Sequence, residues 1–242
     1  MTSTQAPAPK SQSGNNDKTI VKDYFNTAGF DRWRRIYGEG DDVNKVQRDI
    51  RIGHQRTIDL VLYWFKVDKN LEGRSICDAG CGVGSLSLPL AAQGANVEAS
   101  DISEKMVGEA IARAQDCGIG NNLKLETKDL EAINGSYDTV ICLDVLIHYP
   151  DDEMEAMLTH LASRAQDQLI LSFAPKNGFY TVLKRIGEFF PGPSKATRAY
   201  LHREKDVVAI LKKLGWEPKR KEFTATQFYF SRLMEFVKPE VA

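Results

Sequence analysis

Hydrophobic and polar positions change period several times along this chain, and the changes divide it. From Thr19 to Asn26 and from Asp31 to Tyr37 the pattern predicts two short helices, interrupted by Gly29. A longer helix follows, with Val43, Val46, Ile50, Ile58, Val61, Leu62 and Phe65 mostly at three- and four-residue steps. Together these segments predict an N-terminal helical cap over residues 18–66. From 67 to 242 short apolar runs alternate with helical stretches, the signature of a parallel doubly wound sheet. The first run is Ser75-Ile76-Cys77. The helix expected after it begins near Ser85 and tolerates Pro89 in its opening turn, where N–H groups have no intrahelical partner.

Ser103 is the expected cap of a helix with Met106, Val107, Ala110, Ile111 and Ala114 on one face, closed by Gly118. Asp151 or Asp152 is the expected cap of another, carrying Met154, Met157, Leu158 and Leu161. A fifth strand, Gln168 to Phe173, precedes an insertion over about 175–201 and a helix from Glu204 to Leu214. Two closing strands, Trp216 to Thr224 and Gln227 to Val237, read as an antiparallel hairpin. The expected fold is therefore α/β and Rossmann-like. It has a seven-stranded, mostly parallel sheet with its last strand reversed.

Composition narrows the function classes. The 242 residues suffice for one α/β domain with additions. Net charge is −1, so nothing drives the whole chain toward nucleic acid. The four cysteines lack zinc spacing, and Cys77 and Cys142 fall in apolar strands, as reduced buried thiols do. Met1 to Asp17 is polar and nearly devoid of apolar residues, which predicts a disordered tail. It has neither an arginine nor an apolar stretch of the kind targeting peptides carry, so cytoplasmic, bacterial-type addressing is expected.

The chemistry lies at the strand ends. Asp78-Ala-Gly80-Cys81-Gly82-Val-Gly84 follows the first run in the pattern D-x-G-x-G-x-G, where glycines at alternate positions let backbone pass beneath a ligand. That spacing differs from the G-x-G-x-x-G of dinucleotide enzymes and suits a small zwitterion joined to a nucleoside. The second run ends at Asp101, 21 residues after Gly80, where an acid can accept both ribose hydroxyls. The third ends at Asp129-Leu130, placed for an adenine amino group, and the fourth runs through Leu143 to Asp144. Four such ends point to a class I methyltransferase using S-adenosylmethionine (SAM) and releasing S-adenosylhomocysteine (SAH). Asp78, Gly80, Cys81, Gly82, Gly84, Asp101, Ile102, Met106, Asp129, Leu130 and Leu143 are the expected cofactor contacts.

The acceptor should lie beyond the first and fourth strands. Asp144-Val-Leu-Ile-His148-Tyr-Pro150 lacks the Asn/Asp-Pro-Pro-aromatic grip of base methyltransferases and the paired glutamates of arginine methyltransferases. No compact carboxylate cluster suggests a metal-dependent catechol enzyme, so no protein-bound metal is expected. Small-molecule acceptors remain. His148 is the one histidine placed at this site by the sequence; a lone histidine is often structural, but its position four residues past Asp144 favours function. Trp33 and Tyr37 in the cap serve equally as packing or as a cover over a planar ligand. In the insertion, Phe179, Val182, Leu183, Ile186, Phe189 and Phe190 form an apolar stripe that packs on the domain, closes over a ligand, or docks a partner or membrane. The residues leave open a small-molecule O- or N-methyltransferase, such as one acting on a quinone precursor, and a non-catalytic binding protein for tetrapyrrole or SAM.

Five stretches narrow this further: Asp23 to Gly38 (DYFNTAGFDRWRRIYG), Asn44 to Gln47 (NKVQ), Ile76 to Leu88, Cys142 to Pro150 (CLDVLIHYP) and Phe190 to Tyr200 (FPGPSKATRAY). On them the chain from about Thr19 resembles the magnesium-protoporphyrin IX O-methyltransferase family of chlorophyll synthesis. The resemblance implies transfer of methyl to a propionate of magnesium protoporphyrin IX, whose magnesium belongs to the substrate. With that reaction, His148 and Tyr37 are the catalytic candidates, Trp33 is a candidate against the substrate, and Lys195 and Arg198 are the basic groups expected to hold the second propionate. The resemblance also implies the large porphyrin-binding subunit of magnesium chelatase as partner, with peripheral contact to photosynthetic membranes left open.

Overall fold

Seven strands form one sheet in the order β3-β2-β1-β4-β5-β7-β6. They are β1 Ser75–Ala79, β2 Asn96–Asp101, β3 Leu123–Thr127, β4 Tyr137–Cys142, β5 Ala165–Phe173, β6 Glu217–Ala225 and β7 Phe230–Val237. This computed structural model describes residues 12–38, 40, 42–68, 71–176 and 199–239. β1 to β5 pair in parallel. β7 runs antiparallel to both β5 and β6, which makes it the reversed strand. Chain order turns back between β1 and β4, the switch point beyond which open α/β sheets hold their ligands.

The central strands read as unbroken apolar runs because helices cover both faces. On one face, Met154, Met157, Leu158 and Leu161 of α6 (Asp151–Arg164) and Val207 and Leu211 of α7 (Glu204–Lys213) pack with Trp216. On the other, Ile58, Val61, Trp64 and Phe65 of α3 (Lys45–Asp68) pack with Leu90 of α4 (Ser87–Ala92). Pro89 sits in the first turn of α4, and Ser103 caps α5 (Glu104–Asp116) by accepting from Met106 N.

Four details differ from expectation. The first helix, α1, spans Gln12–Asn26 and so starts before Lys18. Polar composition hides this, because extending a helix that is already nucleated and packed costs little per residue. Pro150, with extended ψ, holds the N-cap position of α6 instead of an aspartate. Asp151 becomes the first helical residue and turns its carboxylate to His202 Nδ1 at 3.0 Å. Ile111 lies at the margin of the inward stripe of α5 and is exposed. Val43 precedes α3. The insertion residues 177–198, with its apolar stripe, Lys195 and Arg198, lie outside the described residues.

The cap folds over the strand ends. Asn26 at the end of α1 accepts from Ser103 Oγ at 2.9 Å, and Phe25 O accepts from the same hydroxyl at 3.2 Å. The C-terminal carbonyls of α2 (Phe30–Ile36) are held from two sides. Arg51 of α3 donates to Ile36 O, and Arg113 of α5 donates to Tyr37 O, both at 3.0 Å. Cations suit the negative end of a helix, and here they fix Tyr37 in place.

Candidate active site

The turn after β1 is held down by its own backbone. Gly80 N and Cys81 N both donate to Ser100 O of β2, at 2.8 and 2.9 Å. Gly80 has φ +87°, and a Cβ there would lie 2.2 Å from Val145 Cγ2. Its need for glycine comes from contact with the turn after β4. Gly82, at φ +54°, is different: a Cβ there would meet nothing within 4 Å, because it faces an open cavity.

Asp101 borders the same cavity. Its carboxylate accepts from Gly82 N at 3.0 Å and Ser103 N at 2.8 Å, joining the glycine turn to the start of α5. Burial pushes its carboxyl up, against the pull of those two N–H groups. Cys81, Ile102, Met106, Leu130 and Leu143 complete an apolar wall. A bare α-carbon, an acid and an apolar slot fit the methionine, ribose and base of SAM.

Other expected contacts stand elsewhere. Asp78 lies beneath the turn, off the cavity wall, and accepts from the Ser87 hydroxyl of α4. Burial raises its carboxyl to about 6, the hydroxyl opposing. Gly84 faces the packing side, where a Cβ would lie 2.3 Å from Leu88 Cδ1. Asp129 holds the N-cap position of the short 3-10 turn Leu130–Ala132, without a side-chain capping bond, and is not on the wall, although Leu130 is. Trp33 stacks behind Tyr37, ring centroids 5.3 Å apart, and donates toward Tyr24 Oη at 3.3 Å; it too is off the wall.

The turn after β4 forms the opposite side. His148 closes the 3-10 turn Leu146–His148 and borders the cavity, with Phe25 of α1 edge-on to its ring at 5.7 Å. Its Nδ1 is buried and has no hydrogen-bond partner among the described residues. Burial lowers its pKa to about 4, the charge of Asp144 opposing, so the imidazole is neutral near pH 7. Tyr37 also borders the cavity. Burial, then Asp144 and Asp101, push its phenol well up, so it acts as a donor.

A histidine of the cap was not foreseen at this site. His54 of α3 places Nδ1 3.0 Å from Asp144 Oδ2, and its ring lies 4.5 Å from that of Tyr37. His148 is therefore not the only histidine here. Asp144 has φ +57°, rare for a residue with a side chain. Its carboxylate also accepts from Ser172 Oγ at 2.8 Å and Tyr229 Oη at 2.9 Å. Burial would raise this carboxyl, but His54 and the hydroxyls outweigh it and hold the pKa below the usual range. A trace of His54 was legible: it interrupts the apolar row Ile50, Ile58, Val61 with a polar group one turn before Ile58.

A sheet reversed only at β7, with a glycine turn and an acid opening on the β1–β4 switch, is the architecture of class I SAM-dependent methyltransferases. Residues 76–167 match the family model described as a methyltransferase domain, and residues 142–238 match magnesium-protoporphyrin IX methyltransferase C-terminus. A magnesium-protoporphyrin O-methyltransferase of Synechocystis is 60% identical over 92% of this chain and 97% of its own length. The chloroplastic magnesium protoporphyrin IX methyltransferase of Arabidopsis thaliana is 56% identical over 93% of this chain and 72% of its own length. The crystal structure of the Synechocystis magnesium protoporphyrin IX methyltransferase with bound SAH superposes with TM-score 0.84 at 58% identity, covering 92% of this chain and 100% of that one. The chain belongs to the magnesium-protoporphyrin IX methyltransferase family.

Proposed function

We infer that this protein transfers a methyl group from SAM to a propionate carboxylate of magnesium protoporphyrin IX, giving the monomethyl ester and SAH. One observation carries the reading: His148, whose buried Nδ1 has no hydrogen-bond partner among the described residues, borders the same cavity as Gly82 and Asp101. Family membership supplies the acceptor.

When bound, SAM supplies an electrophilic methyl on a sulfonium. Gly82, Asp101, Ile102, Met106, Leu130 and Leu143 would hold it. An ordinary carboxyl titrates near ~4, so a propionate arrives ionised and needs no strong base. The protein's work is then alignment, which can supply several kcal/mol. Neutral His148 donates its ring N–H to the acceptor carboxylate, and the protonated Tyr37 phenol provides a second donor. Neutral donors orient the oxygen without quenching it, as full pairing with a cation would. Phe25, packed on His148, keeps water from that edge.

Labelled SAM mixed with protein and magnesium protoporphyrin IX should give porphyrin ester, and a quinone precursor should give none. Methylated quinone precursor without porphyrin ester would overturn this reading.

Lys195 and Arg198 stay proposed for the second propionate, and the large subunit of magnesium chelatase for delivery of the porphyrin. Addition of that subunit should then lower the KM for porphyrin. Cytoplasmic placement with peripheral membrane contact is likewise proposed; among the described residues no helix is long and apolar enough to cross a membrane.

A further inference from the structure

We propose that His54 is a positioning residue that compensates the charge of Asp144, allowing an anionic carboxylate to rest on this cavity wall. The inference rests on the carboxylate acceptor proposed above. Such an acceptor has to settle within a cavity already bordered by Asp101, Asp144 and Glu153 of α6. Uncompensated, a buried carboxylate repels a second one strongly, because the surroundings screen poorly.

Asp101 is answered by two backbone N–H groups that point at its oxygens. Asp144 is answered by side chains. Ser172, Ser231 and Tyr229 bring hydroxyls, which carry no charge. His54 alone among these partners can bring a cation, and it donates through Nδ1 at 3.0 Å.

Among the described residues no other cation on the wall does this. Lys18 is paired with Glu131, and His148 is held neutral by burial. Arg51, in the adjoining groove, is committed to the carbonyl of Ile36. His54 is itself mostly buried, with 14% of its side chain accessible, and Tyr37 covers its ring. It borders both the cavity and that groove. A purely structural pin between α3 and the β4 turn would need only a hydrogen bond. Charge compensation needs the cation.

The two roles separate in variants His54→Gln, His54→Ala, Asp144→Asn and His54→Ala/Asp144→Asn. Binding of magnesium protoporphyrin IX is read from its emission in the presence of SAH, and SAH binding from calorimetry. We expect His54→Gln and His54→Ala each to weaken porphyrin binding by roughly 10-fold or more, with SAH affinity unchanged. Asp144→Asn should restore most of the loss in the His54→Ala background. The neutral dimethyl ester of the porphyrin should bind His54→Gln as well as wild type. His54→Gln binding the diacid like wild type, or a double variant no better than His54→Ala, would overturn the inference alone. A wild type that forms no ester overturns both this inference and the function beneath it.

Discussion

The turns after β1 and β4 lie side by side at the sheet's switch point, touching where Gly80 meets Val145; buried Asp78 lies near the end of β1, and Asp144, with 22% of its side chain accessible, lies in the β4 turn. Asp78 has one hydroxyl donor and a carboxyl raised to about 6. Asp144 has His54 and three hydroxyls, and is held below the usual carboxylate range. Burial acts the same way on both; the donors decide the outcome. The β1 turn thus ties strand to helix and offers backbone to a cofactor. The β4 turn keeps a charge in the wall, beside a neutral histidine with an unused nitrogen.

The strongest break is at the contact between the turns. Gly80→Val puts a branched side chain at φ +87° and into Val145. Backbone strain and overpacking together should cost about 3–5 kcal/mol, seen as a large drop in Tm. Gly80 also lines the cavity, so cofactor binding should fall too; an unchanged Tm would mean that Val145 gives way without cost. Next in size, His148→Ala should lower kcat by about 10²-fold while leaving cofactor affinity in place, as expected for a contact made mainly in the transition state. Joint loss of Tm and cofactor binding would make His148 structural.

Titration sharpens the comparison. Asp78 is raised to about 6, so from about pH 4 to 6 the unfolded state ionises first, and stability from this group falls as pH rises. His148 is lowered to about 4, so between about 4 and 6.5 the unfolded state binds the extra proton, and stability from this group rises with pH. The two slopes oppose each other. Relative to wild type, Asp78→Asn should therefore gain stability as pH rises across that window, and His148→Phe should lose it, each by on the order of 2 kcal/mol in denaturant titrations. Parallel curves would place both groups in water. The smallest effect is at the cofactor: Asp101→Ala should weaken SAH binding by about 10-fold, read by calorimetry. Unchanged affinity would remove Asp101 from the site.

The strands and the glycine turn were legible because a sheet covered on both faces needs apolar runs, and a turn this tight needs glycine. Which side of the turn a residue faces was not. Asp78 and Gly84 look like ligand contacts in sequence, yet one bonds Ser87 and the other packs on Leu88. His54 was missed because its partner Asp144 is 90 residues away, and only the packing of α3 across the sheet joins them. Tyr229 reaches Asp144 across 85 residues, beside Gly53, where a Cβ would strike its ring. Such contacts have no local signature. The cap was readable as helices, but nothing in its period showed Phe25 turning onto His148.

Single-turnover ester formation from magnesium protoporphyrin IX, at rising SAM concentration, tests the division between the turns most directly. Asp101→Ala should regain most of the wild-type rate once SAM saturates, because its defect is in holding cofactor. His148→Ala should stay about 10²-fold slow at every SAM concentration, because its defect is in the acceptor. Recovery of His148→Ala at saturating SAM would contradict the account, by placing both turns on the cofactor.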